Sequence, residues 1–329
     1  RYLNDAPTMV SVFSRKSIVG VGIVVFAVLP LVANPYVMYV ANLALMYILL
    51  SVGLNMLLGY AGQLAFPNAA LFGVGAYTSG LLRLEFGLPY WVTLPSATIL
   101  ATVVGLAVAI PALRLSGLYL ALATIAFAQA ALWIFDHWNS VTYGAAGFRV
   151  PVMDFSPLPV DPATGIYYLT FIIVLIGVPL GWNVLRSRVG RAWVALKESE
   201  VAAETLAIDV TKYKTFAYAV SGIYAGTAGA LFSGVLNIVT PTSFDLFQVI
   251  THFCMVIVGG IGSLWGAVIG AVSLVYLLEV LRKAQHYQEI VFGGLLLFTV
   301  LVVPGGMISF IKRYVPGWSE PLRRVRKDK

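Results

Sequence analysis

Apolar residues along this chain run in long stretches, separated by short segments in which charged residues, Pro, Gly or Asn cluster. A helix that crosses the hydrocarbon core of a bilayer needs about 20 mainly apolar residues, and fewer where flanking side chains reach the interface. The runs at 66–82 and 246–260 are short enough to be re-entrant. The polar interruptions predict ten membrane-spanning helices, at residues 18–33, 36–58, 66–82, 90–113, 115–135, 166–185, 215–237, 246–260, 264–278 and 290–310.

Composition supports an all-α, polytopic integral membrane protein. Hydrophobic residues make up 60% of the 329 residues and charged residues 11%, whereas soluble domains are about 45–50% apolar and about 25% charged. A soluble fold could not cover so much apolar surface. The single cysteine, Cys254, excludes an intrachain disulfide framework and a metal site built on paired thiolates.

The basic residues lie mostly outside the apolar runs, which indicates contact with lipid head groups rather than with nucleic acid. Segments 186–214 and 311–329 hold six and seven of the 21 Lys and Arg residues. Cytoplasmic segments carry the excess of Lys and Arg, so an even number of spans is needed to place both segments there. We expect both termini to be cytoplasmic, with an N-terminal segment 1–17, a transmembrane domain 18–310 and a basic tail 311–329.

Ionisable residues are rare in the predicted spans, although they mark ion sites and proton relays in membrane proteins. Within or at the edges of spans, only His252 lies away from a predicted interface; the others are Asp136, His137, Glu279 and Glu289. A lone buried His is more often bonded to a backbone carbonyl than part of a relay. Because the chain has no Ser-His-Asp or Gly-x-Ser-x-Gly arrangement and no metal-binding His spacing, we expect neither an enzyme nor a metal site.

Small residues recur at four-residue intervals in two places. One set is Gly222, Gly226 and Ala230, and the other is Gly262, Gly266 and Gly270. Small side chains let helices approach closely in lipid, where no hydrophobic force drives helices together. Both sets therefore predict helix packing faces.

Amide side chains cluster around a predicted helix end at 53–63, and Pro67 follows shortly afterwards. Proline removes a backbone donor and leaves a carbonyl free for a neighbour or a solute, and broken helices bind polar groups in transporters. Amides between helices also serve as interhelical hydrogen bonds, and both interpretations remain open. The candidates for a solute path are Asn55, Gln63, Asn68, Tyr77, Thr124 and Gln129.

The cytoplasmic segment 186–214 is predicted to contain a short soluble helix, because residues 191–207 are helix formers without Pro or Gly. At helical spacing, one face carries Ala195, Ser199, Ala202, Ala203 and Leu206. The opposite face carries Lys197, Glu200 and Glu204. Such a helix suits another protein's groove better than a membrane surface, which would need more bulky apolar residues. Asp209 or Thr211 is expected to cap the following span.

Energy for transport must come from another subunit if this chain is a transporter. The spans contain scarcely any charge, and the chain lacks the Gly-x-x-x-x-Gly-Lys-Ser/Thr motif of a P-loop. A separate ATPase is therefore expected to dock on the 191–207 helix.

Several motifs together resemble the permeases of branched-chain amino acid ABC importers. They are Gly-Leu-Asn at 53–55, Gly-Tyr-Ala-Gly-Gln at 59–63, Gly-Val-Gly-Ala-Tyr-Thr at 73–78, Arg-Leu-Ser-Gly-Leu-Tyr-Leu-Ala-Leu-Ala-Thr at 114–124, Gly-Arg-Ala at 190–192, Ala-Ala-Glu at 202–204 and Val-Gly-Gly-Ile-Gly-Ser-Leu-Trp-Gly at 258–266. They cover nearly all of the membrane domain. The chain departs from the family at Ala207, where glycine is expected.

The resemblance implies a bacterial inner-membrane permease subunit with ABC importer architecture. Its partners would be a second homologous permease, two ATP-binding subunits that hold ATP and Mg, and a periplasmic substrate-binding protein, with no cofactor in this chain. The solute would be a branched-chain amino acid or a related small polar molecule such as urea, an amide or an aromatic acid. The ATPase-coupling residues would be Arg191, Lys197, Glu200, Ala202, Ala203, Glu204 and Asp209. An ion-coupled secondary transporter and a non-transporting structural subunit remain the alternatives.

Overall fold

The structure is a computed structural model that describes residues 15–153, 161–282, 288–303 and 305–314. Residues 1–14 of the predicted N-terminal segment and residues 315–329 of the predicted basic tail lie outside the described residues. The predicted transmembrane domain falls almost wholly within them.

The described chain is mainly α-helical. Its helices are α1 Arg15–Val32, α2 Pro35–Asn55, α3 Asn68–Phe86, α4 Tyr90–Ala112, α5 Gly117–His137, α6 Asn139–Thr142, α7 Pro162–Arg186, α8 Arg188–Glu198, α9 Glu200–Thr205, α10 Val210–Leu236, α11 Leu246–Gly259, α12 Leu264–Leu281, α13 Gln288–Val302 and α14 Met307–Tyr314. A π-turn, Met56–Tyr60, extends α2, and 3-10 turns lie at Gly144–Ala146 and Pro241–Phe244. Strands β1 Phe148–Arg149 and β2 Ile238–Val239 pair antiparallel, Phe148 opposite Val239 and Arg149 opposite Ile238.

Each of the ten predicted apolar runs falls on helix, but the count of ten spans is not confirmed. Among the described residues, seven helical segments are long and apolar enough to cross a bilayer: Pro35–Tyr60, Tyr90–Ala112, Gly117–His137, Pro162–Arg186, Val210–Leu236, Pro241–Gly259 and Leu264–Leu281. The apolar parts of α1 and α13 are shorter. The helix α3 is diluted by polar and small residues and carries Arg83 and Glu85. The last predicted run is divided between α13 and α14.

The core forms where α10 packs against α2, α3 and α4. Glycines permit the close approach of these helices: a Cβ on Gly226 would lie 2.5 Å from Ala101 Cβ, and one on Gly222 would lie 3.0 Å from Thr102 Cα. A Cβ atom at 2.5 Å from another Cβ would clash, and one at 3.0 Å from backbone would be unusually tight, so larger residues would force α10 and α4 apart.

The second predicted glycine face is only partly a helix face. Gly266 and Gly270 lie on α12 against α11, and a Cβ on Gly266 would lie 2.8 Å from Gly259 O. Gly262 instead lies in the turn before α12, with a backbone φ of +75°. That left-handed conformation favours glycine, so Gly262 shapes the turn rather than a packing face.

The two ends of the helical bundle are distinct, and we name them by their contents. The loop end carries α8 and α9, the C-terminal π-turn of α2 and the turn at residues 260–263. The sheet end carries β1 and β2 together with the start of α7 and the last turn of α10.

Candidate coupling site and solute path

The predicted single helix at 191–207 is wrong, because the structure has two helices there. The backbone of Ser199 is extended, with φ −165° and ψ 119°, and it separates α8 from α9. Ser199 Oγ accepts a hydrogen bond from Ala202 N at 3.2 Å and so caps α9. A serine hydroxyl satisfies the free donors of a helix start, and this local stabilisation outweighs the helix propensity of the flanking residues.

Trp193 fixes α8 on the start of α10. Its side chain is fully buried, and its indole Nε1 donates a hydrogen bond to Tyr213 O at 2.8 Å. The indole ring also lies 6.1 Å from the ring of Phe216, between centroids. A large buried aromatic side chain with a satisfied polar atom holds two elements in one relative position.

A buried ion pair fixes α9 on the same helix. Lys214 Nζ lies 2.6 Å from Glu200 Oε1, and the side chains are 5% and 47% exposed. A buried ammonium is costly unless a partner compensates its charge, so Glu200 is a structural requirement of α10. The sequence interpretation listed Glu200 among the ATPase-coupling residues and did not predict this internal ion pair.

The side chain of Lys197 connects α8 to the end of α2. Its Nζ donates to Gly59 O at 2.5 Å, within the π-turn. The side chain packs on Gly62, where a Cβ would lie 3.0 Å from Lys197 Cβ. A lysine ammonium has three donors, and the turn carbonyl accepts one of them.

Asn55 carries this connection onward to the turn at residues 260–263. Its Nδ2 donates to Ser263 O at 2.7 Å, and its Oδ1 accepts from Gly262 N at 2.9 Å. Tyr60 OH accepts from Leu264 N at 3.2 Å. The loop end is thus a continuous set of contacts from α8 and α9 to α2, α10 and the start of α12.

The opposite side of α9 is open. Val201 and Leu206 are 74% and 72% exposed, and Ala202 and Glu204 are exposed beside them. Ala203, which was also predicted to contact the ATPase, is buried against the rest of the chain. Bulky apolar side chains next to an acidic one form a surface that suits contact with another protein.

Two further predicted residues of the loop have defined roles. Asp209 caps α10, its Oδ1 accepting from Lys212 N at 2.9 Å, as expected. Ala207 has a backbone φ of +57°. Glycine adopts this left-handed conformation without steric cost, which explains why glycine is expected there by resemblance. Arg191 is exposed on α8.

Three of the six solute-path candidates use their polar atoms within the chain. Asn55 holds the turn described above, and Gln63 Nε2 donates to Ala61 O at 3.3 Å. Thr124 Oγ1 accepts from Phe66 N at 2.9 Å and donates to Leu120 O at 2.9 Å. Gln63 and Thr124 therefore support the non-helical segment between the π-turn and α3.

The other three candidates retain polar atoms that have no partner, or face a cavity. Asn68 accepts from Ser221 Oγ at 3.1 Å, but its Nδ2 has no partner among the described residues. The buried Tyr77 OH also has none there. Gln129 lines an open cavity of about 460 Å³ near the sheet end. Asn68 and Tyr77 are about 13 Å apart along α3, so the six residues do not converge on one point.

His252 is buried in an aromatic cluster without the backbone hydrogen bond expected from the sequence. Neither ring nitrogen has a partner among the described residues. Its ring lies 5.6 Å from the ring of Tyr47 and 5.7 Å from that of Phe72, between centroids. Tyr47 OH donates to Gln248 Oε1 at 3.4 Å, one turn away on α11.

The sheet end is held by residues that the sequence interpretation missed. Arg83, a buried residue of α3, donates from Nη2 to Pro151 O at 2.5 Å and lies over the ring of Tyr90. Tyr143 OH donates to Glu85, and this hydrogen bond raises the pKa of Tyr143. The predicted span at 66–82 ended one residue before Arg83, whereas α3 continues to Phe86.

No metal site is found within the described ranges, where no three His, Cys, Asp or Glu side chains come close enough together to hold an ion. Apolar helices of bilayer length around a glycine-rich core define a polytopic α-helical membrane protein. A family model described as branched-chain amino acid transport system, permease component, matches residues 36–300. The chain therefore belongs to this family, which confirms the resemblance found in the sequence. It is a membrane-embedded transport component and not an enzyme.

Individual relatives support this assignment. The chain is 29% identical to the high-affinity branched-chain amino acid transport system permease protein LivM of Escherichia coli (strain K12), over 83% of this chain and 70% of the relative. It is 28% identical to the probable branched-chain amino acid transport permease protein LivH of Methanocaldococcus jannaschii, over 80% and 83%. It is 24% identical to the ribose import permease protein RbsC of Haemophilus influenzae, over 77% and 80%. No solved structure matches the chain.

Proposed function

We propose that this chain is a permease subunit of an ATP-driven importer in a bacterial inner membrane, with both termini cytoplasmic. The loop end carries this proposal, because α8 and α9 are fixed to the bundle on one side and present Val201, Glu204 and Leu206 on the other. The proposed partners are two ATP-binding subunits, a second homologous permease and a periplasmic binding protein. ATP and Mg would bind in the ATP-binding subunits.

Movement of a docked ATPase would enter the bundle by two routes. The first runs from α9 through the Glu200–Lys214 ion pair into α10. The second runs from α8 through Lys197 and the Gly59 carbonyl into α2. Asn55 would extend the second route to the start of α12. Two discrete arrangements of these helices would provide alternating access to the solute path.

The solute is proposed to be a branched-chain amino acid or a related small polar molecule, such as urea, a short amide or an aromatic acid. The family description and the names of LivM and LivH support an amino acid. We assign Asn68, Tyr77 and Gln129 to the path, with Asn55, Gln63 and Thr124 supporting its broken helix. Unpartnered amide and hydroxyl groups bind polar solutes through hydrogen bonds.

The docking role is tested by Glu204→Lys and Val201→Asp, in cells that express the complete transporter. Glu204→Lys reverses the exposed charge on the open side of α9, and Val201→Asp places a charge in the apolar part of that surface. Both changes should weaken contact with the ATP-binding subunit, so we expect solute uptake to fall at least about tenfold. The ATP-binding subunit should no longer co-purify with the permease. Membrane insertion should be unchanged, because neither side chain is buried.

The matched control is Arg149→Glu, a charge reversal at the sheet end, which should retain the ATP-binding subunit. Wild-type uptake and co-purification in both α9 variants would contradict the docking role.

One observation favours ion-coupled transport as a second candidate. Both ring nitrogens of the buried His252 lack a hydrogen-bond partner among the described residues, so they are available to exchange a proton with a transported ion or a water molecule. Collapse of uptake by an ionophore at constant ATP concentration would support this mechanism. Uptake that persists with the ionophore and stops on ATP depletion would support the ABC importer.

A further inference from the structure

The open cavity of about 460 Å³ runs along the second half of α5, and we call it the α5 cavity. Its lining includes Asp136 and His137, which are 39% and 52% exposed, and Asp245 at the start of α11. Ionised carboxylates are costly in hydrocarbon, so two of them indicate that the cavity holds water. Gln129 lines the same cavity seven residues before Asp136, which is about 10 Å along the helix. The α5 cavity therefore extends from the charged surface to a residue assigned to the solute path.

A wall formed by α5 and the 3-10 turn Pro241–Phe244 separates the α5 cavity from Tyr77. In the turn, Thr242 lines the cavity, whereas the Phe244 side chain does not and is only 2% exposed. On α5, neighbouring residues line the cavity, whereas the Phe135 ring stacks on the ring of Tyr77 with 4.4 Å between centroids. Both elements thus face the cavity on one side and the aromatic interior on the other.

The ring of Phe244 closes this wall by contacting three helices. Four aromatic rings on α3, α5 and α10 surround it at 5.6 to 6.0 Å between centroids: Phe72, Tyr77, Phe135 and Phe232. Aromatic rings attract one another at such separations. Gly73 leaves room for this arrangement, since a Cβ there would lie 3.2 Å from Phe244 Cγ. Phe244 is therefore the one member of the turn whose side chain fills the space between the α5 cavity and Tyr77.

The turn that carries Phe244 is joined to the helices mainly by apolar contact. Thr240 Oγ1 lies 3.1 Å from Thr242 Oγ1 and 3.0 Å from Ser243 Oγ, so these hydroxyl groups bond to one another. Within the described ranges, none of the three bonds through its side chain to a spanning helix. Ring packing is non-directional, whereas a broken buried hydrogen bond leaves a costly unpaired group. The turn can therefore move away from the helices without leaving these hydroxyl groups unpaired.

We propose that Phe244 is the gating residue of the solute path at the sheet end. Its ring closes the passage from the α5 cavity to Tyr77 in this structure, and displacement of the 3-10 turn opens that passage. The inference rests on the proposed function, which assigns both Gln129 and Tyr77 to the path. In that function the loop end is cytoplasmic, so this gate would face the periplasm. Solute would occupy the α5 cavity near Gln129 and reach Tyr77 only after the turn moves.

The test is the labelling of a single cysteine by a trimethylammonium methanethiosulfonate reagent, in the full-length chain purified in detergent. Cys254→Ala first removes the chain's own cysteine. Tyr77→Cys then places the reporter behind Phe244, and Gln129→Cys places it in the α5 cavity. Mass spectrometry measures the labelling rates. A minor open state is populated at about 0.1–10%, so Phe244→Ala should raise the rate at position 77 at least about tenfold and leave the rate at position 129 unchanged.

The matched control is Phe247→Ala, the same change three residues further along the chain. The ring of Phe247 lies 5.5 Å from that of Phe292 on α13, between centroids, so its loss should not change labelling at position 77. Phe244→Leu keeps part of the apolar bulk and should give a smaller increase than Phe244→Ala, which also covers the case that Phe244→Ala does not fold. An unchanged rate at position 77 in the Phe244 variants, or an equal increase in Phe247→Ala, would overturn the proposal.

Labelling requires neither solute nor ATP, so the gate and the proposed function can fail separately. Uptake of leucine by cells that express the complete transporter, measured with and without ATP depletion, reports on the importer. Faster labelling in Phe244→Ala together with ATP-independent uptake would support the gate and contradict the importer. Unchanged labelling together with ATP-dependent uptake would overturn the gate and retain the importer.

Discussion

The loop end and the sheet end of the bundle differ in whether their buried polar side chains have hydrogen-bond partners. At the loop end, Asn55, Trp193 and Lys214 are buried and each has a partner on another element of the fold. At the sheet end, the side-chain oxygens of Asn42 and Asn237 are buried without partners among the described residues. The two larger cavities, of about 350 and 460 Å³, also lie toward the sheet end, whereas a smaller one of about 240 Å³ lies between the end of α4 and the start of α5.

This difference separates two mechanical requirements of a transport protein. A region that transmits displacement must be rigid, and fully paired buried polar groups give rigidity because each broken contact is costly. A region that binds ligands must keep acceptors and space available. The proposed ATPase docking surface accordingly lies at the paired end.

The largest expected effect comes from replacing one buried amide at each end with leucine. Asn55→Leu leaves Gly262 N and Ser263 O without partners and should lower the free energy of unfolding by about 3 kcal/mol. Asn42→Leu removes an oxygen that is unpaired among the described residues, so the purified protein should be unchanged or more stable by up to about 1 kcal/mol. Thermal unfolding in detergent, followed by circular dichroism, measures both. Equal losses would remove the contrast between the ends.

A smaller effect is expected from adding one methyl group to a glycine at each end. A Cβ on Gly59 would lie 2.5 Å from Gly262 N, so Gly59→Ala should cost about 2 kcal/mol by forcing the π-turn away from its neighbour. Gly87, at the end of α3, has nothing within 4 Å of a Cβ and a φ of +59°. Gly87→Ala should cost only about 1 kcal/mol, from backbone conformation alone. The same melting experiment compares them, and a larger loss at Gly87 would contradict the packing argument.

Charge removal on α9 sharpens the comparison within the loop end. Glu200→Gln leaves Lys214 buried without a compensating charge and should cost about 1.5 kcal/mol, a value reduced because Glu200 is half exposed. Glu204→Gln removes an exposed charge and should change stability by less than about 0.5 kcal/mol. If Lys214→Met restores the stability of Glu200→Gln, the ion pair is the cause. No rescue would assign the loss to another contact of Glu200.

The smallest effect is expected at Tyr143, on the surface of the sheet end. Its hydrogen bond to Glu85 raises the pKa of Tyr143, so the bond stabilises the protonated, folded form. Tyr143→Phe should therefore lower the melting temperature slightly at neutral pH. The difference from wild type should shrink as the pH rises above about 10, where the tyrosine of the unfolded chain ionises, and vanish above the raised folded value. A difference that grows with pH would be inconsistent with this bond.

The positions of the long helices could be predicted from the sequence, because a bilayer imposes one length and one composition on every span. The family could also be recognised, since its motifs recur along the membrane domain. The predicted count of ten spans is not confirmed, because only seven helical segments among the described residues are long and apolar enough to cross a bilayer. Helix α3 carries Arg83 and Glu85 near its end, and its hydropathy is reduced accordingly.

The interactions of the candidate residues could not be predicted, because their partners are far away in sequence. Asn55 bonds to residues more than 200 positions later, and Lys197 bonds to a carbonyl 138 positions earlier. Composition shows that an amide is present in a span, but not whether its atoms are already bonded. The break at Ser199 was also missed, since serine is tolerated inside helices and its capping role depends on the fold.

The π-turn at Met56–Tyr60 sets a constraint on chain length. Ala61 N bonds to Met56 O, five residues earlier, so this turn contains one residue more than an α-helical turn. One residue corresponds to a rotation of about 100° around a helix axis. A single deletion between Met56 and Ala61 would therefore swing the Gly59 carbonyl a quarter-turn or more away from Lys197, whereas many substitutions in the same stretch would leave its direction intact. The number of residues in this turn therefore sets the direction in which the Gly59 carbonyl points.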